Sequence, residues 1–202
     1  GYTHDEVKRF FPDWIEKLAN ALGVSSDEAF SEIVKWYDGY RFEENSEPVI
    51  NPVSLGLCLR DSKFKTYWSS TAVPTFLVDL LRTRPLNLQL VGIDESTLDA
   101  YEPTALNPVT LLYQTGYLTI SSFRQRGTQR TYSLDFPNME VRNSFNTSLA
   151  RGYVNIDENH LGSLQNRCID ALYDDKLDIF FETLKVFFAN IPYDISARAP
   201  EE

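Results

Sequence analysis

At 202 residues the chain is long enough for one sizeable core or two smaller packed units. A hydrophobic fraction of 43%, with 13% aromatic residues, excludes a disordered tail, and a net charge of −10 repels phosphate, which argues against nucleic acid as a partner of the whole chain. No apolar run approaches the roughly 20 residues needed to span a bilayer and no signal peptide opens the chain, so the sequence reads as soluble and cytoplasmic with no membrane partner. Gly1 running straight into a helix start reads as an internal cut rather than a natural beginning.

The predicted elements begin with a capping box, Thr3 with Glu6, followed by Val7, Phe10 and Phe11 at helical spacing until Pro12. A second short helix is expected over Asp13 to Leu22, with Trp14, Leu18 and Leu22 on one face and Gly23 as terminator. Ser25 and Glu28 form another box, behind which Phe30, Ile33, Val34 and Tyr37 recur at helical spacing up to Gly39. Glu43 to Pro48 reads as an acidic loop. Asn51 caps the next helix with Pro52 in its first turn. Thr71 to Leu81 gives another, with Phe76, Leu77, Leu80 and Leu81 inward.

After Gly116 the period changes. Leu118 and Ile120 alternate with Thr119 and Ser121, and Tyr132, Leu134 and Phe136 with Ser133 and Asp135, which predicts a β-hairpin turning at Gly127. A helix over about Thr104 to Thr115 precedes it, and one capped by Asn138 follows with Val141, Phe145 and Leu149 in line. Helix, hairpin and helix in this order suggest a winged-helix-like unit. Two C-terminal helices close the pattern, one marked by Leu161, Leu164, Cys168 and Leu172. The other carries Leu177, Phe180, Phe181, Leu184, Phe187 and Phe188. The fold class is therefore mainly α: a helical bundle, then a winged-helix-like unit with one β-hairpin, then two helices.

Catalytic patterns are scarce. None of the nine glycines is followed by lysine, so there is no phosphate-wrapping P-loop. His4 and His160 stand apart, each beside a helix start, and read as capping or surface residues rather than zinc ligands. Cys58 and Cys168 lie in apolar helical patterns and read as two buried thiols of a reducing compartment, in preference to a disulfide. No serine has the glycine pattern of a nucleophile elbow. Asp174, Asp175 and Asp178 read as helix-dipole partners, and the Asp174-x-Lys176 spacing, which in metal-dependent nucleases sits on a strand, here begins a helix and is rejected as that motif.

Five segments carry a resemblance. They are Trp36-Tyr37-Asp38-Gly39-Tyr40-Arg41-Phe42, Asn51-Pro52, Tyr67-Trp68-Ser69-Ser70-Thr71, Leu111 through Ile120 (LLYQTGYLTI), and Pro137-Asn138-Met139-Glu140-Val141-Arg142. In this order they resemble the AAA-ATPase-like proteins whose C-terminal part is a nuclease of the PD-(D/E)XK superfamily. The resemblance implies a helical lid-like bundle over residues 1–88, the winged-helix-like unit over 89–150, the helical pair over 151–189, and a truncated linker over 190–202 towards a nuclease-like domain. It places the ATP-binding core upstream and the nuclease acids downstream. No catalytic residue and no cofactor fall in this chain, and ATP and Mg are implied for the parent only. The chain's partners would be its own ATPase core and nuclease-like domain.

Three readings compete for function. In the first, the chain is a non-catalytic lid and coupling region. The four aromatics Trp36, Tyr37, Tyr40 and Phe42 pack the helix exit, and Arg41 is the candidate to face nucleotide phosphate, for which a guanidinium fork suits. In the second, the chain is a winged-helix DNA-binding module, with Arg124, Arg126 and Arg130 on the hairpin touching phosphate. Against it, no Lys or Arg occurs between Arg84 and Arg124, and Asp94, Glu95, Asp99 and Glu102 precede the helix that would enter the groove. In the third, a protein-interaction module, the Phe-rich last helix gives weak self-association.

Overall fold

The computed structural model describes residues 1–68, 78–81, 91–99, 107–153 and 158–191. The fold is mainly helical with one small antiparallel sheet, and it divides into two compact units, residues 1–73 with 86–145 and residues 74–85 with 146–202.

The first unit opens with α1 (His4–Phe10), where Thr3 and Glu6 form the full capping box. Pro12, read above as a stop, also starts α2 (Pro12–Leu22): at the first helical position its missing N–H costs nothing. The inward face of α2 is Ile15, Leu18 and Ala19; Trp14 and Leu22, expected inward, are 45% and 41% exposed. Gly23 ends the helix at φ +71°. α3 (Ser26–Tyr37) carries the second capping box, and α4 (Pro52–Asp61) starts where Asn51 accepts from the Val53 and Ser54 amides. Val7, Leu18, Ile33, Tyr37, Ile50 and Cys58, all fully buried, are at the heart of the core these helices share.

The same unit holds β1 (Val91–Asp94), α5 (Glu95–Asp99), α6 (Pro108–Gln114), β2 (Thr119–Arg126) and β3 (Gln129–Asp135). The strands lie in the order β1-β3-β2, so the expected hairpin gains a third strand. β1 is only four residues long, and its register slips at Gly92, which has φ +79°. Asp94 then caps α5 by accepting from Ser96 and Thr97. Asn107 caps α6; the part of the expected helix before it, residues 104–106, lies outside the described residues. The alternation expected along β2 fails at its start, where Leu118, Thr119 and Ile120 are all buried.

The boundary expected at residue 88 does not separate compact units. The helical segment and the sheet belong to one unit, and backbone groups of the α3 exit are bonded by the side chains of Thr119 and Asn138.

α7 (Met139–Tyr153) begins in the first unit and its last residues belong to the second, with residues 78–81, α8 (Glu158–Tyr173) and α9 (Leu177–Ala189). Of the helix expected over 71–81, residues 78–81 are helical with Val78 and Leu81 buried; Phe76 and Leu77 lie outside the described residues. A Cβ on Gly152 would sit 2.2 Å from a Val78 methyl, so only glycine allows this approach. On α8, Leu161, Leu164 and Ala171 are buried, whereas Leu172, one of the residues that mark the helix, is 50% exposed. No helix among the described residues is long and apolar enough to cross a membrane.

Candidate functional site

The five segments quoted above meet at one place, the exit of α3. Tyr37, the last residue of α3, donates its hydroxyl to the Lys65 carbonyl at 3.0 Å and accepts the Lys65 amide, while its own carbonyl takes the Asn51 amide at 2.9 Å. Asp38 is buried and holds His4 Nε2 at 2.8 Å. His4 is thus not the isolated capping residue expected; it supplies the partner that a buried carboxylate needs. The Asp38 carbonyl accepts from Asn138 Nδ2 at 2.9 Å. Gly39 follows at φ +98°, and a Cβ there would lie 2.0 Å from the Pro137 carbonyl oxygen. Conformation and space both demand glycine.

The chain then runs beside β2. The Thr119 hydroxyl accepts from the Arg41 amide at 2.7 Å and donates to the Arg41 carbonyl at 2.8 Å. The Ile120 amide adds a bond to that same carbonyl, and Tyr113 donates to the Phe42 carbonyl. The remaining segment joins through Trp68, whose amide donates to Glu140 Oε1 at 2.8 Å and whose ring meets Tyr117 edge-on at 4.7 Å.

Glu140 is wholly buried, and burial pushes its carboxyl above the ordinary range. Burial likewise raises the Tyr40 phenol to about 12 and the Cys58 thiol to about 11. Among the described residues Glu140 Oε2, Ser54 Oγ and the Tyr40 hydroxyl have no hydrogen-bond partner. A phenol and a thiol held neutral in a dry interior are poor nucleophiles. The arrangement fixes chain segments to one another.

Arg41 has its backbone clamped and its side chain half-buried, and its Nε finds no acceptor among the described residues. The three hairpin arginines do not act together. Arg130 lies opposite Gln125 and Arg124 opposite Thr131, so Arg130 faces the other side of the ribbon from Arg124 and Arg126. There it meets Glu44 at 3.5 Å and Glu95 at 3.6 Å. Arg124 and Arg126 are exposed and have no ion pair among the described residues.

Beside Arg130 is a cleft of about 380 Å³ walled by Phe42, Tyr113 and Tyr132 and by Glu43, Glu44 and Glu95. Tyr132 donates to Glu44, and this bond is the leading reason its phenol rises to about 12. Three carboxylates make this face hostile to phosphate. Among the described residues no group of three or more His, Cys, Asp or Glu side chains is arranged to hold a metal ion. Cys58 is buried and Cys168 only partly so; both are free thiols.

The roles of Asn138 beyond its cap, Thr119, Glu140 and His4 were not readable in advance. Each acts on a partner more than 30 positions away, and only the buried placement of Thr119 leaves a local trace, a polar residue between Leu118 and Ile120.

Comparison with known proteins gives one informative likeness. The chain is 34% identical over 201 residues to an uncharacterised protein in the vnfD 5′ region of Azotobacter chroococcum mcd 1, covering 96% of this chain and 36% of that protein. The chain therefore spans little more than a third of the relative's length. No protein-family profile matches the chain, and no solved structure does.

Proposed function

We propose that this chain is the non-catalytic lid and coupling region of a larger AAA-ATPase-like protein, working in the cytoplasm between a nucleotide-binding core and a nuclease-like domain. The observation that carries the reading is the convergence of all five resembling segments on one interlocked network, Tyr37 with Asn51, Asp38 with Asn138, Arg41 with Thr119 and Trp68 with Glu140. A region that transmits a change of state must be stiff where it is gripped, and residues committed to internal bonding supply that stiffness. The clamped backbone of Arg41 supports its role as the residue aimed at nucleotide phosphate: the side chain is held on a fixed base and its Nε has no acceptor among the described residues. ATP and Mg belong to the parent in this reading.

The test uses the full polypeptide containing these residues. Arg41→Ala is expected to weaken ATP affinity or turnover at least tenfold while the melting temperature stays within about 2 °C. Unchanged ATP affinity and turnover would remove the Arg41 role. Enzymatic nucleotide hydrolysis by the 202-residue chain alone would remove the whole reading.

The DNA-binding alternative keeps one point in its favour, the solvent-facing pair Arg124 and Arg126. α6, the helix placed to enter a groove, carries no charged side chain, and Arg130 is already neutralised. Contact through the wing would therefore be non-specific.

A further inference from the structure

α9 is apolar around more of its circumference than one neighbour covers. At roughly 100° per residue, Leu177, Phe181 and Phe188 fall within about 40° of one another, and they are 56%, 56% and 61% exposed. The buried position of the helix is Thr183, about 140° round from that stripe; its hydroxyl is satisfied internally by the Ile179 carbonyl at 2.7 Å. Phe180 and Phe187, half-buried, lie between Thr183 and that stripe. The charged residues Asp178, Glu182 and Lys185 are confined to the remaining sector. A helix seated on one neighbour needs an apolar stripe of about 100°, whereas this one spans about twice that. One side of it packs with α8, and on the other side Leu177, Phe181 and Phe188 are exposed.

We infer that the Leu177–Phe181–Phe188 stripe is the seat of an apolar element supplied by the same polypeptide from outside these 202 residues. Two observations select this occupant. The exposed parts of one leucine and two phenylalanines amount to something on the order of 300 Å², well below the ~800 Å² per partner of a stable association between separate molecules. A tethered segment needs far less area, because linkage gives it a millimolar effective concentration. The Azotobacter relative, of which the match covers only 36%, has ample chain to supply such a segment. The inference rests on the coupling-region reading, and it names the surface through which coupling would leave this region.

The experiment compares Phe181→Asp/Phe188→Asp in the 202-residue chain and in the full polypeptide encoded around it. In the 202-residue chain the melting temperature is expected to shift by less than about 2 °C, since both side chains already meet water. In the longer polypeptide the double variant is expected to lower it by at least about 4 °C and to strip α9 of its extra protection from hydrogen exchange. Four outcomes overturn the inference: an equal loss in both forms, no loss in the longer form, a dimer of the 202-residue chain that the double variant abolishes, or a reading frame that closes at Glu202. If Arg41→Ala impairs nucleotide turnover while the stripe variant is silent, the inference falls and the coupling reading stands. If the stripe variant destabilises a longer polypeptide that handles no nucleotide, the reading falls and the inference stands.

Discussion

Asn138 bridges two helices separated by 100 positions of chain: Nδ2 donates to the Asp38 carbonyl at the end of α3, and Oδ1 accepts the Val141 amide in the first turn of α7. Asn138→Ala removes a cap and a long-range bond together and leaves a carbonyl and an amide unpaired in a buried place. The expected cost is about 2–4 kcal/mol. Asn138→Asp restores the cap but not the donor, so it should recover no more than about half of the loss, read as urea midpoints.

Gly39→Ala meets both a left-handed backbone and the Pro137 carbonyl. The conformational part alone costs about 1–2 kcal/mol, and the overlap with backbone cannot be relieved by a rotamer. Gly39→Ala is therefore expected to leave the chain unfolded or insoluble. Gly23→Ala, at φ +71° with nothing within 4 Å of the added carbon, should cost only the conformational part. Circular dichroism melts of the two variants test the difference.

Glu140 has a folded-state pKa raised by burial, so its neutral form stabilises the fold at acid pH and that contribution is lost as pH rises through the raised value. Glu28 and Asp94 act in the opposite sense. Their acidities are strengthened by the Ser25 amide and by the Ser96 hydroxyl respectively, so their contributions are lost as pH falls. Glu140→Gln keeps an acceptor for the Trp68 amide and removes the titration. Its stability relative to the native chain should rise as pH climbs above the ordinary carboxyl range and level off once Glu140 ionises in the folded state. A difference that stays constant as pH climbs would refute this account.

The hairpin arginines should separate cleanly. Arg130→Ala loses two partly exposed ion pairs, worth about 0.5 kcal/mol, with little effect on polyanion binding. Arg124→Ala with Arg126→Ala should leave stability alone and lower the salt slope of any duplex DNA binding by about 2. Binding of duplex DNA tighter than about 10⁻⁶ M at physiological salt would favour the alternative function.

Local chemistry made much of this fold legible. The two capping boxes, the proline-led helices and the hairpin around Gly127 are each decided by residues within four positions of one another. β1 escaped because Gly92 interrupts a strand of four residues. Periodicity marks an apolar stripe without saying which neighbour arrives to cover it: Trp14, Leu22 and Leu172 belong to such stripes and still face water. In the site, the aromatic run from Trp36 to Phe42 announced a packed exit loop. Its polar partners, His4, Thr119 and Asn138, were invisible because hydrogen bonding over long separations leaves no spacing to read.

The bond between Asn138 and Asp38 also sets a timetable. On a ribosome adding about 5–20 residues per second, the first four helices emerge several seconds before the residues that lock them. Until then Asp38 lacks its distant donor and Arg41 lacks the Thr119 clamp, so the exit of α3 is the last part of the helical segment to be fixed, although the core of that segment is already complete within residues 2–67. Contacts this distant in sequence favour slow, late closure.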